Sequence, residues 1–396
     1  MEAPPPQRRR ADRRVALATV LREWGRIGVI GFGGPPAHIA LLRKLVVEER
    51  GWLSREEFEA AIAACNLLPG PASTQLAIFC AYRVGGAPGA IVGGLGFVVP
   101  AVALILALSA LFLSRAPPIW VRGAGAGAGA AVAAVAVQAG RALLGPSFQR
   151  VREHQAGRAR WLGYLTAGTA AAALIGPYLV LVLLACGLVE LAVQRARWGV
   201  LSANWAPVAA LGHRIGASGG IAALAWTAFK VGALSFGGGF VIIPLMQGDA
   251  VHVYHWMTDA QFLNAVALGQ ITPGPVVSTV AAVGYAAHGL SGGLVAAAVA
   301  FVPSFSFILL GGGRFEQLRG SAKARSFLDG AGPAAIGAIL GAAITLAGAL
   351  SEPWQFAILA GAATLLLALG RGIVATLLLA GAAGVLIALA GGPLPR

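Results

Sequence analysis

Across 396 residues, 58% are hydrophobic and 11% charged, 56 are glycine, and the mean hydropathy is +0.78. A soluble globular chain carries about half apolar and a quarter charged residues, so that class is excluded and a membrane protein remains. The net charge of +14 does not imply nucleic acid, because basic residues gather in short segments between apolar runs, as in Arg150 to Arg160, the pattern of cytoplasmic loops.

Residues 1–14 form a basic, proline-rich segment with no cleavable signal pattern behind it, read as a cytoplasmic tail. Residues 15–197 form a first repeat. Its opening motif, GRIGVIGFGGPPAH, places Arg26 shortly before Phe32, Gly33, Gly34 and Pro35, with His38 just beyond. Two glycines and two prolines in sequence do not sit inside a helix, so a break is expected there, with helical segments turning back as a re-entrant hairpin. Glycines admit a ligand close to backbone N–H groups, an arrangement suited to oxyanions, and His38 could donate to one. Arg26 is read either as a functional intramembrane cation or as a side chain that snorkels or pairs with Glu23. The segment Arg43 to Glu57 reads as a basic loop with four Arg or Lys residues.

Next comes a second break. Asn66 precedes Pro69, Gly70 and Pro71, and Ser73, Thr74 and Gln75 follow in the first turn of the resumed helix. The prolines remove N–H donors and clash with the preceding turn. Freed backbone groups are tolerated at membrane depth only where protein buries them or a wet cavity receives them. The half-helix that restarts after Pro71 presents bare amides and the positive end of its dipole, which attract anions. Apolar runs follow at Ala87 to Leu113, Gly123 to Leu144, Trp161 to Ile175 and Tyr178 to Val193, near the length needed to cross about 30 Å of hydrocarbon. Cys65, Cys80 and Cys186 lack CxxC spacing and read as small buried hydrophobes.

A polar-interrupted stretch, residues 198–218, leads into a second repeat over 219–396. Lys230 precedes Phe236, Gly237, Gly238 and Gly239; Gln270 precedes Pro273, Gly274 and Pro275; Ser278 and Thr279 follow. Lys230 is read as the stronger of the two cations because no acid neighbours it in sequence. Residues 247–259, with His252 and His255, read as an exposed loop without metal ligands. Apolar runs close the chain at Gly330 to Leu350, Trp354 to Leu369 and Ile373 to Ala390.

The two repeats align without a gap over more than fifty positions. Gly31 and Ser235 are 204 apart (235 minus 31), and the same offset joins Trp52 to Trp256, Phe58 to Phe262, Pro69-Gly70-Pro71 to Pro273-Gly274-Pro275, and Gly85 to Gly289. A one-residue slip then brings Pro100 onto Pro303. Matching loops carry unequal positive charge, which argues for halves of opposite orientation with a site midway through the membrane; parallel halves stay open. The expected fold is an all-α membrane protein of two homologous halves, with about 10–12 membrane segments including broken or re-entrant helices. No Walker lysine motif, nucleophile elbow or HExxH run is present, so no catalytic residue, metal or cofactor is expected and the protein is not read as an enzyme.

The paired stretches "GFGGPPAHIALL … NLLPGPASTQLAIFCAYRVGG" and "SFGGGFVIIPLM … GQITPGPVVSTVAAVGYAAHG" resemble the chromate ion transporter family in its long, two-domain form. That resemblance spans all but the tail. It implies a multi-pass protein of the bacterial inner membrane that exports chromate and confers resistance, with sulfate as the natural mimic; a homodimer stays open. It marks Phe32 to Pro35, Asn66, Pro69 to Pro71, Thr74 and Gln75, with their second-half partners. The second half departs from the first by lacking the Pro-Pro and the histidine. From residues alone, an anion pathway follows, but not its occupant: chromate, sulfate or another oxyanion on a carrier, or a passive anion channel.

Overall fold

A computed structural model of the chain describes residues 15–66, 68, 70–114, 116–149, 151, 155–176, 179–197, 219–235, 240–311 and 321–395. The tail, the connecting stretch 198–218, Pro69 and the second glycine motif, Phe236 to Gly239, lie outside the described residues.

Among the described residues there are fourteen α-helices and no strand, seven in each half. The first half comprises α1 (Leu17–Ile30), α2 (Pro35–Arg43), α3 (Arg55–Cys65), α4 (Ala72–Phe112), α5 (Ile119–Gln149), α6 (Gln155–Leu174) and α7 (Leu179–Arg197). The second comprises α8 (Ile221–Leu234), α9 (Ile242–Gln247), α10 (Asp259–Ile271), α11 (Thr279–Gly311), α12 (Ala322–Gly348), α13 (Pro353–Ala363) and α14 (Ile373–Leu389). Among the described residues, four stretches are long and apolar enough to cross a membrane: 72–112, 119–149, 276–311 and 325–348.

Local chemistry is duplicated along with the elements. Ser54 with Glu57 and Thr258 with Gln261, each 204 residues apart, make reciprocal capping boxes that start α3 and α10. α2 and α9 both run on through a wider π-helical turn, Lys44–Glu49 and Gly248–Val253. The segments 43–57 and 247–259 are therefore mostly helical, not the loops expected from their polarity. At the turn that follows, Gly51 (φ +58°) corresponds to His255 (φ +52°). The structure also refines the register. Gly86 and Gly289 share one left-handed conformation (φ +68° and +62°), so the one-residue slip falls at this bend and Gly289 matches Gly86, not Gly85.

The glycine and Pro-Gly-Pro breaks are the tips of hairpins. At 14 residues, or about 21 Å, α1 is too short to span the bilayer. The chain turns at Gly31–Gly34 and comes back: Trp52 stacks on Trp24 with centroids 6.2 Å apart, and Arg50 donates to Glu23 at 2.5 Å. α3 enters again and the first segment of α4 returns, with Arg83 donating to Glu57 at 2.5 Å and Trp24 Nε1 to the Ala77 carbonyl at 2.8 Å. At Gly86 the chain folds over, and the second segment, 87–112, runs back with Gly89 and Gly93 packed on Ala81. Among the described residues the second half follows the same order of elements, Trp256 Nε1 reaching the Gly219 carbonyl at 3.0 Å where α8 begins.

Contacts between α4 and α11 fix the relation of the halves. Gly94 lies against Phe305 and Gly293 against Leu106, so position rises along one helix as it falls along the other. Equivalent helices that pack antiparallel are related by a two-fold axis perpendicular to both, which for membrane-crossing helices lies in the membrane plane. This is an inverted repeat. The halves also interlock: α5 packs on α13 and α14, and α12 on α6 and α7. Small residues permit it, as where Gly127 meets Ala380 and Gly384, or Gly168 meets Ala334.

Candidate functional site

The interlock brings the breaks together. Gly70 lies against the Gly232 carbonyl and Ser304 Oγ, whereas Gly274 lies against the Gly28 carbonyl and Ala101. These pairs are repeat equivalents (28 with 232, 101 with 304), so each Pro-Gly-Pro break is seated on the opposite half. The Gly274 amide donates to the Gly31 carbonyl at 2.9 Å, tying the second-half break to the first-half glycine break. One small cavity results, lined by Pro35, Pro71, Ala72, Ser73, Pro275, Val276 and Val277.

Two half-helices start at that cavity. Their first internal bonds run from Thr74 and Gln75 N–H to the Pro71 carbonyl and from Ser278 N–H to the Pro275 carbonyl. The preceding amides, of Ala72, Ser73, Val276 and Val277, fall in the opening turn, where a helix has no internal acceptor to offer. Two positive dipole ends thus converge from opposite halves. Beside them are buried hydroxyls without a hydrogen-bond partner: Thr74 and Ser278, repeat equivalents in the opening turns, and Ser304 next to Gly70; Ser235 Oγ and Gln270 Nε2 are likewise buried and unpartnered. Buried polar atoms are nearly always paired, so such a concentration points to a polar occupant.

The expected residues divide accordingly. Pro35, Pro71 and Pro275 line the cavity; Gly34 packs on Val276. Thr74, Gln75, Ser278 and Thr279 are buried in the first turns of the half-helices, Thr279 Oγ1 being bonded back to the Val276 carbonyl at 2.7 Å. Gln270 is buried, but its counterpart Asn66 is exposed at the end of α3. Phe32 and Gly33 are exposed at the first hairpin tip, whereas Phe240 to Val251 are buried throughout, so the two halves are differently covered. Pro273 and Gly274 are buried. Pro69 and Phe236, Gly237, Gly238 and Gly239 are outside the described residues.

His38 does not reach into the cavity as a free donor. It is fully buried, its Nε2 lies 2.9 Å from the Gly31 carbonyl and its Nδ1 3.3 Å from Ser73 Oγ, with the Phe97 ring edge-on at 5.0 Å.

The expectation that Lys230 has no acidic neighbour is overturned. Lys230 Nζ lies 2.5 Å from Asp249 Oδ2, which also accepts from Thr227 Oγ1 at 2.7 Å. Sequence distance concealed the pair because Asp249 lay in an assumed loop, while the wide turn after α9 buries it against α8. Arg26 is exposed on α1 and does not pair with Glu23, whose carboxylate is taken by Arg22 and Arg50. Ser304 was missed. Ser304 follows Pro303 as Ala101 follows Pro100, so reading the slipped register one residue further would have exposed a hydroxyl beside the break.

Re-entrant hairpins, antiparallel equivalent helices and a cavity at broken helix ends define a class, that of polytopic membrane proteins built as inverted repeats. The chain belongs to the chromate transporter family: the family described as "Chromate transporter" matches residues 18–191 and 222–386. It is 33% identical over 339 residues to the chromate transport protein of Cupriavidus metallidurans, covering 81% of this chain and 80% of that one. It is 30% identical over 348 residues to the chromate transport protein of Pseudomonas aeruginosa, covering 83% and 80%. A probable chromate transport protein of Synechococcus elongatus is 29% identical over 345 residues, covering 84% of each. No solved structure matches the chain.

Proposed function

We propose that the protein exports chromate across the bacterial inner membrane as a secondary carrier, with the anion held where the Pro-Gly-Pro half-helices of the two halves meet. The observation that carries this reading is the convergence of two helix N-termini and the glycine-proline break on one cavity, with the buried, unpartnered hydroxyls of Thr74, Ser278 and Ser304 beside the breaks. Amide and hydroxyl donors replace water around a tetrahedral dianion without binding it as tightly as a cluster of fixed cations would. The basic positions Arg43, Lys44, Arg50 and Arg55 put the first pair of hairpins at the cytoplasmic face by the positive-inside rule.

The cavity has room for about one water-sized sphere and must widen to admit chromate, which favours a carrier that opens to each side in turn over an open channel. Partial exposure of Pro36 to Val47 in the first half against burial of Phe240 to Val251 in the second fits a conformation open from one side. An inside-negative potential of 100 mV contributes about 2.3 kcal/mol per charge, so an outgoing dianion gains about 4.6 kcal/mol and needs no nucleotide. Sulfate has the same charge and shape and is the expected competitor.

The hydroxyls provide the test. Thr74→Val and Ser278→Ala each remove a donor worth about 1.5–3 kcal/mol to a charged ligand. The concentration of chromate needed for half-maximal uptake into inverted vesicles is expected to rise about 10- to 100-fold. Because neither hydroxyl has a partner in the fold, the thermal midpoint of the purified protein should hold or rise. Unchanged uptake in the double variant would remove the hydroxyls from the anion path.

A further inference from the structure

We propose that His38 is a proton-binding group that couples anion occupancy to protonation by reorienting the Ser73 hydroxyl; the inference rests on the anion site proposed above. The Gly31 carbonyl can only accept, so Nε2 carries the ring proton. In the neutral ring Nδ1 is then an acceptor, and the Ser73 hydroxyl donates to it. Ser73 lines the cavity, and with its single proton spent on His38 it turns lone pairs toward any anion there.

A proton from solution bound at Nδ1 reverses this. Nδ1–H donates to Ser73 Oγ, the hydroxyl proton is released to face the cavity, and a buried positive charge stands one hydrogen bond away. No other bond changes. Both effects favour an anion, and by linkage the anion favours the proton equally.

The second half shows that the fold does not need this pair. At the equivalent positions stand Ile242 and Val277, both buried, so the second half fills both places with apolar side chains. A bond serving only to hold the hairpin would have no reason to be confined to one half.

The charged and titratable groups of the elements packed against His38 do not touch the ring. On α1, Arg22 and Glu23 pair with each other, Glu23 also with Arg50, and Arg26 is exposed. On α2 and its extension, Arg43 pairs with Glu59 and Lys44 with Glu49, while Glu48 is exposed. On α4, Arg83 pairs with Glu57, and neither Cys80 nor Tyr82 bonds to His38. Among the described residues, the opposite half contributes Pro275, Val276 and Val277 to the cavity.

Calorimetric titration of the purified protein with chromate, well above neutral pH where the ion is fully ionised, in two buffers of different ionisation enthalpy counts the protons taken up per anion. Net proton uptake on binding is expected, a fraction of a proton per anion that grows as pH is lowered, with affinity falling as pH rises. His38→Gln keeps an N–H for the Gly31 carbonyl but cannot titrate; it should bind chromate more weakly, with no proton uptake and a flat pH profile. Ser73→Ala, a second variant should the first fold poorly, should bind about tenfold more weakly at the acid end of the profile. Chromate bound by the wild type without proton uptake, or uptake preserved in His38→Gln, overturns the proposal and leaves the anion site standing. A wild-type protein that binds no chromate overturns both.

Discussion

Gly274→Ala is expected to abolish chromate uptake into inverted vesicles and to reduce the yield of folded protein. Gly274 has φ +94°, a left-handed conformation that costs an L-residue about 1–2 kcal/mol. A Cβ there would lie 2.7 Å from the Ala101 Cβ, with the Gly28 and Phe97 carbonyls at 3.6 and 3.7 Å. The overlap is with a short, rigid side chain on a packed helix, so the break itself must move, at about 1–3 kcal/mol. Movement also strains the hydrogen bond from the Gly274 amide to the Gly31 carbonyl, which joins the two halves at the cavity. Ala101→Gly removes the opposing methyl without touching the backbone strain. The double variant Ala101→Gly with Gly274→Ala should therefore recover folded yield in part, seen as a larger monodisperse fraction on size exclusion, and some flux. Wild-type flux in Gly274→Ala alone would mean that this break does not shape the path.

The breaks were legible in the sequence because glycine and proline state backbone geometry locally. Gly33, Gly34 and Gly70 have positive φ, and Pro71 and Pro275 stand where half-helices begin. The duplication was legible for the same reason: Gly51 and His255, or Ser54 and Thr258, are matched by conformation as well as by offset. What sequence could not supply was the exchange between halves. That Gly70 sits on Gly232, and Gly274 on Gly28, follows from how long helices cross, and no local pattern encodes a contact over such separations. The Asp249 pair was hidden by a polar, histidine-bearing stretch that looks like a loop but is wound as a wide helical turn. Orientation was half legible. Charge asymmetry suggested inversion, and the antiparallel contact of α4 with α11 supplies the geometry behind it.

Lys230→Met is expected to be among the most damaging single substitutions, and the reason separates two roles for this cation. Asp249 is 3% exposed, and its carboxylate is held by Lys230 Nζ at 2.5 Å and by Thr227 Oγ1 at 2.7 Å. Removing one partner of a buried ion pair leaves the other uncompensated, at about 3–5 kcal/mol. A lost transport phenotype in Lys230→Met therefore says nothing by itself about the anion. Combining it with Asp249→Asn does, because the double variant has neither charge and Thr227 can still bond the amide. If Lys230 serves Asp249, the double variant regains folded protein and most chromate flux, and the coupling between the two substitutions is large. If Lys230 holds the anion, folding returns while flux stays lost. The first outcome is expected, since the ammonium is already neutralised by Asp249 and Lys230 does not line the cavity. The first half supports it with the polarity reversed: there the acid, Glu23, is on α1, and the base, Arg50, follows the wide turn after α2. Each half thus joins the same two elements by an ion pair, of opposite polarity and at positions that are not repeat equivalents, Glu23 and Arg50 corresponding to Thr227 and Tyr254; a contact of that kind is suited to pinning each hairpin to its neighbour, whereas a ligand for a dianion would have to keep its sign.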